Sequence, residues 1–187
     1  MTRILTAIVA VCIMLASVAQ SAQAADSPSP YLNEIASAVA GKNVTVHCET
    51  NTAAWNFHII DITEGEMRGA EVHGYAYANG KRAFISPQAC LPLRAALKVR
   101  VNASTAYAFS LGLLTLVHES LHLRGMVDEG MTECMAFRLA PELLNAFGVP
   151  AKITVNGTRV ANPMVKRIKT YLSLAHESLP AEYLTVC

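Results

Sequence analysis

Residues 104–125 read STAYAFSLGLLTLVHESLHLRG, and this stretch decides the fold. Ala, Leu and Phe dominate it, Ser104 can cap its start, and Gly125 follows as a C-terminal stop, so it predicts a helix over Ser104 to Arg124. Ser110, Gly112 and Thr115 interrupt the apolar run and Glu119 brings charge into it. The pattern is therefore that of a buried central helix, not of a membrane span. Near its end stand His118, Glu119 and His122, with the two histidines four residues apart and hence on one helical face.

That spacing lets two imidazoles reach one zinc ion, at about 2.0–2.1 Å from each nitrogen. Glu119, beside them, is placed to take a proton from metal-bound water, whose pKa zinc lowers towards ~7. A catalytic zinc usually has a third protein ligand and an open fourth position. Asp128, Glu129 and Glu133 compete for that role. If Gly125 turns the chain and the next helix runs back antiparallel, Glu129 comes near His122 and Glu133 near His118. The expectation is Glu129 as ligand and Glu133 as the carboxylate holding the other nitrogen of His118, with an exchange of the two roles left open.

His118-Glu119-Ser120-Leu121-His122 followed by Glu129-Gly130-Met131-Thr132-Glu133 resembles the zincin metallopeptidases of the gluzincin type. The fuller string from His118 to Cys134 is also similar to small exported actinobacterial proteins carrying H-E-x-x-H. The resemblance covers roughly residues 110–140 and implies zinc as cofactor, Glu119 as general base, and an edge strand upstream that aligns the substrate. The segment from Val72 to Ser86 is the candidate for that strand. A second string, His118-Glu119-x-x-His122-x-x-Gly125-x-x-Asp128, matches the metzincin pattern with Asp128 as third ligand, so the third ligand stays open at this point.

Around this centre the chain alternates short helical and extended patterns. Tyr31 to Ala40 read as a helix, and Val44, Val46 and Cys48 as a strand. Val72–Ala78 and Arg82–Ser86 form a strand pair turned at Asn79-Gly80, and Pro87 ends it. A helix capped by Asp128 runs to about Leu139, and a short one spans Pro141 to Phe147. A second hairpin turns at Asn156-Gly157, and Met164 to Ala175 form a last amphipathic helix. His176-Glu177-Ser178-Leu179 copies the metal motif, but Pro180 replaces the second histidine and no second site is expected. His47, His58 and His73 read as ordinary histidines, and Tyr171, His176 and Tyr183 as candidate oxyanion donors.

Arg3, the apolar run Ile4–Ala19 and Ala22-Gln23-Ala24 have the form of a cleaved secretory signal, predicting residues 1–24 as signal peptide, 25–187 as one domain, and a secreted or extracytoplasmic location. In an oxidising compartment Cys48, Cys90, Cys134 and Cys187 are expected to pair, and neighbour pairing (Cys48 with Cys90, Cys134 with Cys187) closes the shortest loops. A formal net charge of +1 with no basic run leaves no electrostatic footprint for nucleic acid, so no nucleic-acid partner is expected, and no stable membrane span is expected after signal cleavage.

These readings combine into an α+β fold: a minimal zincin-like domain in which the metal helix packs on a small antiparallel, disulfide-tied sheet. The function expected is zinc-dependent hydrolysis of a peptide or protein substrate, by Glu119-assisted attack of zinc-bound water. The alternative is a non-catalytic exported binding or envelope protein with a structural or vestigial metal site.

Overall fold

Pro30 stands in the first helical turn, where its missing N–H costs nothing, and starts helix α1 (Pro30–Ala40). The computed structural model describes residues 29–70, 72–179 and 181–184. The predicted signal peptide lies outside the described residues. Strand β1 (Thr45–Cys48) follows, and then a helix that the sequence pattern did not suggest, α2 (Thr52–Ile62). Its Trp, Phe and Ile side chains are strand-like in preference, yet Asn51 caps it by accepting from the N–H groups of Ala53 and Ala54 at 2.9 and 3.1 Å. Strands β2 (Gly74–Ala76) and β3 (Arg82–Ile85) come next. Five residues connect them, not the two of a tight hairpin, and Asn79 alone takes the positive φ, at 62°.

The sheet order is β1-β3-β2, with β3 antiparallel to β2 but parallel to β1. The expected all-antiparallel sheet is therefore mixed. A parallel pair needs a crossover, and α2 supplies the helical part of the one between β1 and β3. One face of the sheet carries the fully buried Val46, Cys48, Ala83 and Ile85. The other stacks His47, Phe84 and Tyr75 beneath His58 and Trp55 of α2.

Pro87 both ends β3 and opens helix α3 (Pro87–Ala96), which Ser86 caps through the N–H of Ala89. Pro92 inside α3 conceals this helix from a pattern reading. A disulfide between Cys48 and Cys90 ties β1 to α3 across 42 residues of sequence. The expected Cys134–Cys187 pair involves Cys187, outside the described residues.

Helix α4 (Ala106–Arg124) is the axis of the molecule. It starts two residues later than expected because Asn102, through its Oδ1, organises the preceding turn by accepting from the N–H groups of Ser104 and Thr105. Fourteen of its nineteen residues are buried, which explains why its apolar side chains are not confined to one stripe. It packs on α1, α3, β2 and β3.

Helix α5 (Glu129–Leu139) runs into a 3₁₀ helix (Ala140–Phe147) and both close over α4. The hairpin β4 (Lys152–Val155) and β5 (Thr158–Ala161) has the expected two-residue Asn156-Gly157 turn, and α6 (Pro163–Glu177) buries Ile168 and Leu172 against the core. A short helix α7 (Ala181–Leu184) lies against α5. Among the described residues no helix is long and apolar enough to cross a membrane. The architecture is thus α+β, with its longest helix carrying the H-E-S-L-H residues against a three-stranded sheet.

Candidate metal centre

The site exists because the chain reverses at Gly125. This residue sits at φ 114°, a conformation costly for any side chain, and its N–H bonds to the carbonyl of His122 at 2.8 Å while that of Met126 reaches Leu121 at 3.1 Å. The same His122 carbonyl accepts from Asn79 at 3.0 Å, so the loop between β2 and β3 is docked on the end of α4. Asp128 then caps α5, its carboxylate accepting from the N–H of Met131 at 2.7 Å. Asp128 is not among the side chains that group with the two histidines.

With α5 folded back on α4, three atoms converge. Nε2 of His122 lies 3.0 Å from Nε2 of His118, and Oε2 of Glu129 lies 3.2 and 3.3 Å from the same two nitrogens. Three corners of a tetrahedron with zinc-like bond lengths lie about 3.3 Å apart, so this triangle has the dimensions of a three-ligand site. His118, His122 and Glu129 form a group that could hold a metal ion.

The outer nitrogens are occupied in the way such a site needs. Nδ1 of His118 donates to Oε2 of Glu133 at 2.6 Å, and Nδ1 of His122 donates to the carbonyl of Met126 at 2.8 Å. Each ring is thereby oriented with Nε2 facing inward, the tautomer a metal ion requires. Glu133 thus stands where the sequence argument put it, beside His118.

Glu119 follows His118 on α4 and lines the same cleft. It is 4% exposed, and its Oε2 is buried with no hydrogen-bond partner. Burial pushes its carboxyl up to about 7, against the pull of His118 and His122. In the metal-free protein, burial lowers the His118 pKa, but hydrogen bonds to Glu129 and Glu133 outweigh it and raise the ring to about 10. The His122 ring is raised chiefly by its bond to Glu129, and Glu129 is held well below the usual carboxylate range by hydrogen bonds from both histidines. Inward-facing imidazoles and a carboxylate of this kind form a group that could take up a cation in place of protons.

A cleft of about 260 Å³ opens beside the cluster, walled by His118, Glu119 and Glu133 and by apolar Met67, Val72, Leu111 and Leu114. Edge strand β2 forms its rim. A Cβ added at Gly74 would lie 2.7 Å from Cγ2 of Thr115 and 2.9 Å from Glu119, so only glycine lets the strand come this close. His73, next to it, also lines the cleft, and its Nδ1 is buried without a partner. The sequence pattern suggests only an ordinary histidine at 73 and no role for Gly74, although a glycine preceding Tyr-Ala-Tyr is a visible signal of close backbone approach.

Tyr171, His176 and Tyr183 do not line this cleft. Tyr171 packs edge-on to Tyr107, and His176 edge-on to Phe137. His47 and His58 belong to the aromatic stack on the outer sheet face. No family model, curated protein or solved structure matches the chain, so the gluzincin resemblance rests on the residues from His118 to Glu133 alone.

Proposed function

We propose that the protein is a zinc-dependent hydrolase of peptide bonds, exported by its N-terminal signal, with Glu119 as general base. The observation that carries this reading is the convergence of His118, His122 and Glu129 at 3.0–3.3 Å, next to a cleft that His118 lines together with the buried Glu119, whose Oε2 has no hydrogen-bond partner. His118, His122 and Glu129 would hold the ion. Bound there, zinc supplies Lewis acidity that polarises a carbonyl and acidifies water.

The chain's own residues supply the rest. Glu119 would take a proton from water on its carboxylate and return it to the leaving amine, which a carboxyl with a raised pKa does well near neutrality. Glu133 and the Met126 carbonyl fix the two rings. Apolar Met67, Val72, Leu111 and Leu114 limit water around the reacting bond and favour an uncharged substrate side chain there. Three donors with none of a fourth His, Cys, Asp or Glu grouped with them, among the described residues, support a site with an open position over a closed structural one.

The test is Glu119→Gln assayed beside wild type on a mixed peptide library. Retained zinc with hydrolysis reduced by a factor of about 10² or more supports the reading. Equal hydrolysis by the variant removes Glu119 from the mechanism. Zinc in both proteins with no hydrolysis by either supports the alternative of a non-catalytic binding protein.

A further inference from the structure

The overall charge of +1 conceals a local bias. Residues 143–176 contain Lys152, Arg159, Lys166, Arg167 and Lys169 and not one Asp or Glu. All five cations are exposed, and none is ion-paired among the described residues. They gather where the β4–β5 hairpin meets α6: Lys166 and Lys169 line an open cleft with Ala151 and Ala161 at the hairpin base, and Arg167 joins Lys166 in the neighbouring one. Glu142 and Arg138 line a further cleft together with Lys169.

The hairpin itself is unusual in having no core. Seven of its eight strand residues are exposed. It is held at its base, where Asn162 bonds to Ala151 through its N–H at 2.9 Å and to Pro150 through Nδ2 at 2.8 Å. The register gives it two chemically distinct faces. Lys152, Thr154 and Arg159 lie on one, with Ala161; Ile153, Val155 and Val160 lie on the other, with Thr158. A two-stranded ribbon gains little stability in water by itself, and an apolar face of β-branched residues left in solvent points to something outside the chain that receives it.

We propose that this hairpin and the cationic side of α6 form a peripheral docking surface for an anionic phospholipid membrane. Inserted tip first, the ribbon brings Val155 and Val160 to the acyl boundary, where Arg159 can extend to the headgroups, while Lys152, Lys166, Arg167 and Lys169 sit at phosphate level. Apolar and cationic side chains on one ribbon suit a lipid interface, which takes both, better than a soluble polyanion, which takes only the charge. The same cations oppose pairing of two such hairpins from separate copies. The inference stands apart from the metal cluster and survives its failure.

The experiment is co-sedimentation of the purified protein with vesicles of phosphatidylcholine containing phosphatidylglycerol, against pure phosphatidylcholine, with retention on heparin measured in parallel. Binding to the anionic vesicles alone is expected, weakening as salt is raised. Lys152→Glu with Arg159→Glu should lower vesicle affinity by a factor of about 30 or more. Val155→Ser with Val160→Ser should lower vesicle affinity and leave heparin retention unchanged. These positions are exposed, and an unaltered thermal transition, or the milder Lys152→Gln with Arg159→Gln, controls for folding. No sedimentation, or equal sedimentation with both vesicles, overturns the proposal. So does a serine variant that binds vesicles as wild type does, which reassigns the surface to a soluble polyanion, or a wild-type dimer that the serine variant abolishes.

Discussion

Glu133 accepts a hydrogen bond from Nδ1 of His118 at 2.6 Å, so one turn of α5 orients one turn of α4. The carboxylate touches the ring on the side away from the converging nitrogens and acts by fixing its tautomer and raising its donor strength. Glu133→Gln should therefore weaken zinc binding by about 10- to 100-fold. Glu129→Gln, which alters a direct donor, should weaken it further. Isothermal titration of the metal-free proteins checks the order; a larger loss at Glu133 would mean that the two glutamates have exchanged roles.

Gly74 supports a different kind of test, because a side chain there would run into Thr115 and Glu119, and neither belongs to the three converging ligands. Gly74→Val forces β2 away from Thr115 and Glu119, a strain of about 1–3 kcal/mol. The denaturation midpoint should fall accordingly and hydrolysis should drop, with zinc stoichiometry unchanged. A variant as stable and active as wild type would show that β2 is not packed on the site as described.

The pH dependence of metal binding follows from His118. Its folded-state pKa in the metal-free protein, about 10, lies above the 6.5 of an unperturbed ring, so zinc must displace a proton at neutral pH. Zinc affinity should rise with pH up to that value, by about ten-fold per pH unit for each proton displaced. The stability linkage has the opposite sign: the favourable contribution of protonated His118 is complete below 6.5 and is lost as pH rises through about 10. Metal-free protein should thus become less stable from neutral to alkaline pH while its zinc affinity increases. Affinity independent of pH over this range would contradict the arrangement of His118 between Glu129 and Glu133.

The Cys48–Cys90 disulfide closes a loop of 42 residues that contains α2, β2 and β3. Loop-closure entropy assigns it about 4 kcal/mol. Cys48→Ala with Cys90→Ala should lower unfolding free energy by about that amount in urea titrations, and β2, held at the sheet edge, should loosen first by hydrogen exchange.

Much of the site was legible because it is local. His118, Glu119 and His122 share one helical turn, Gly125 announces the reversal, and an antiparallel return of α5 brings Glu129 and Glu133 to the histidines, although spacing alone left Asp128, Glu129 and Glu133 open as third ligand. What escaped depends on distant parts of the chain. Gly74 and His73 reach the cleft only through the pairing of β2 with β3, and α2 is hidden by residues whose local preference is for strands. The parallel β1–β3 pair could not be foreseen without α2 to make the crossover. Donor candidates chosen by residue type alone, Tyr171, His176 and Tyr183, fell outside the cleft for the same reason.

Hydrolysis by this route requires that His118, His122 and Glu129 hold one metal ion. Elemental analysis of the purified protein beside His122→Ala, after loosely bound ions are removed, tests it most directly. One zinc per chain in wild type, lost in the variant, is the expected result. Wild-type protein that folds and takes up no stoichiometric metal would contradict the claim, and the hydrolase reading would go with it.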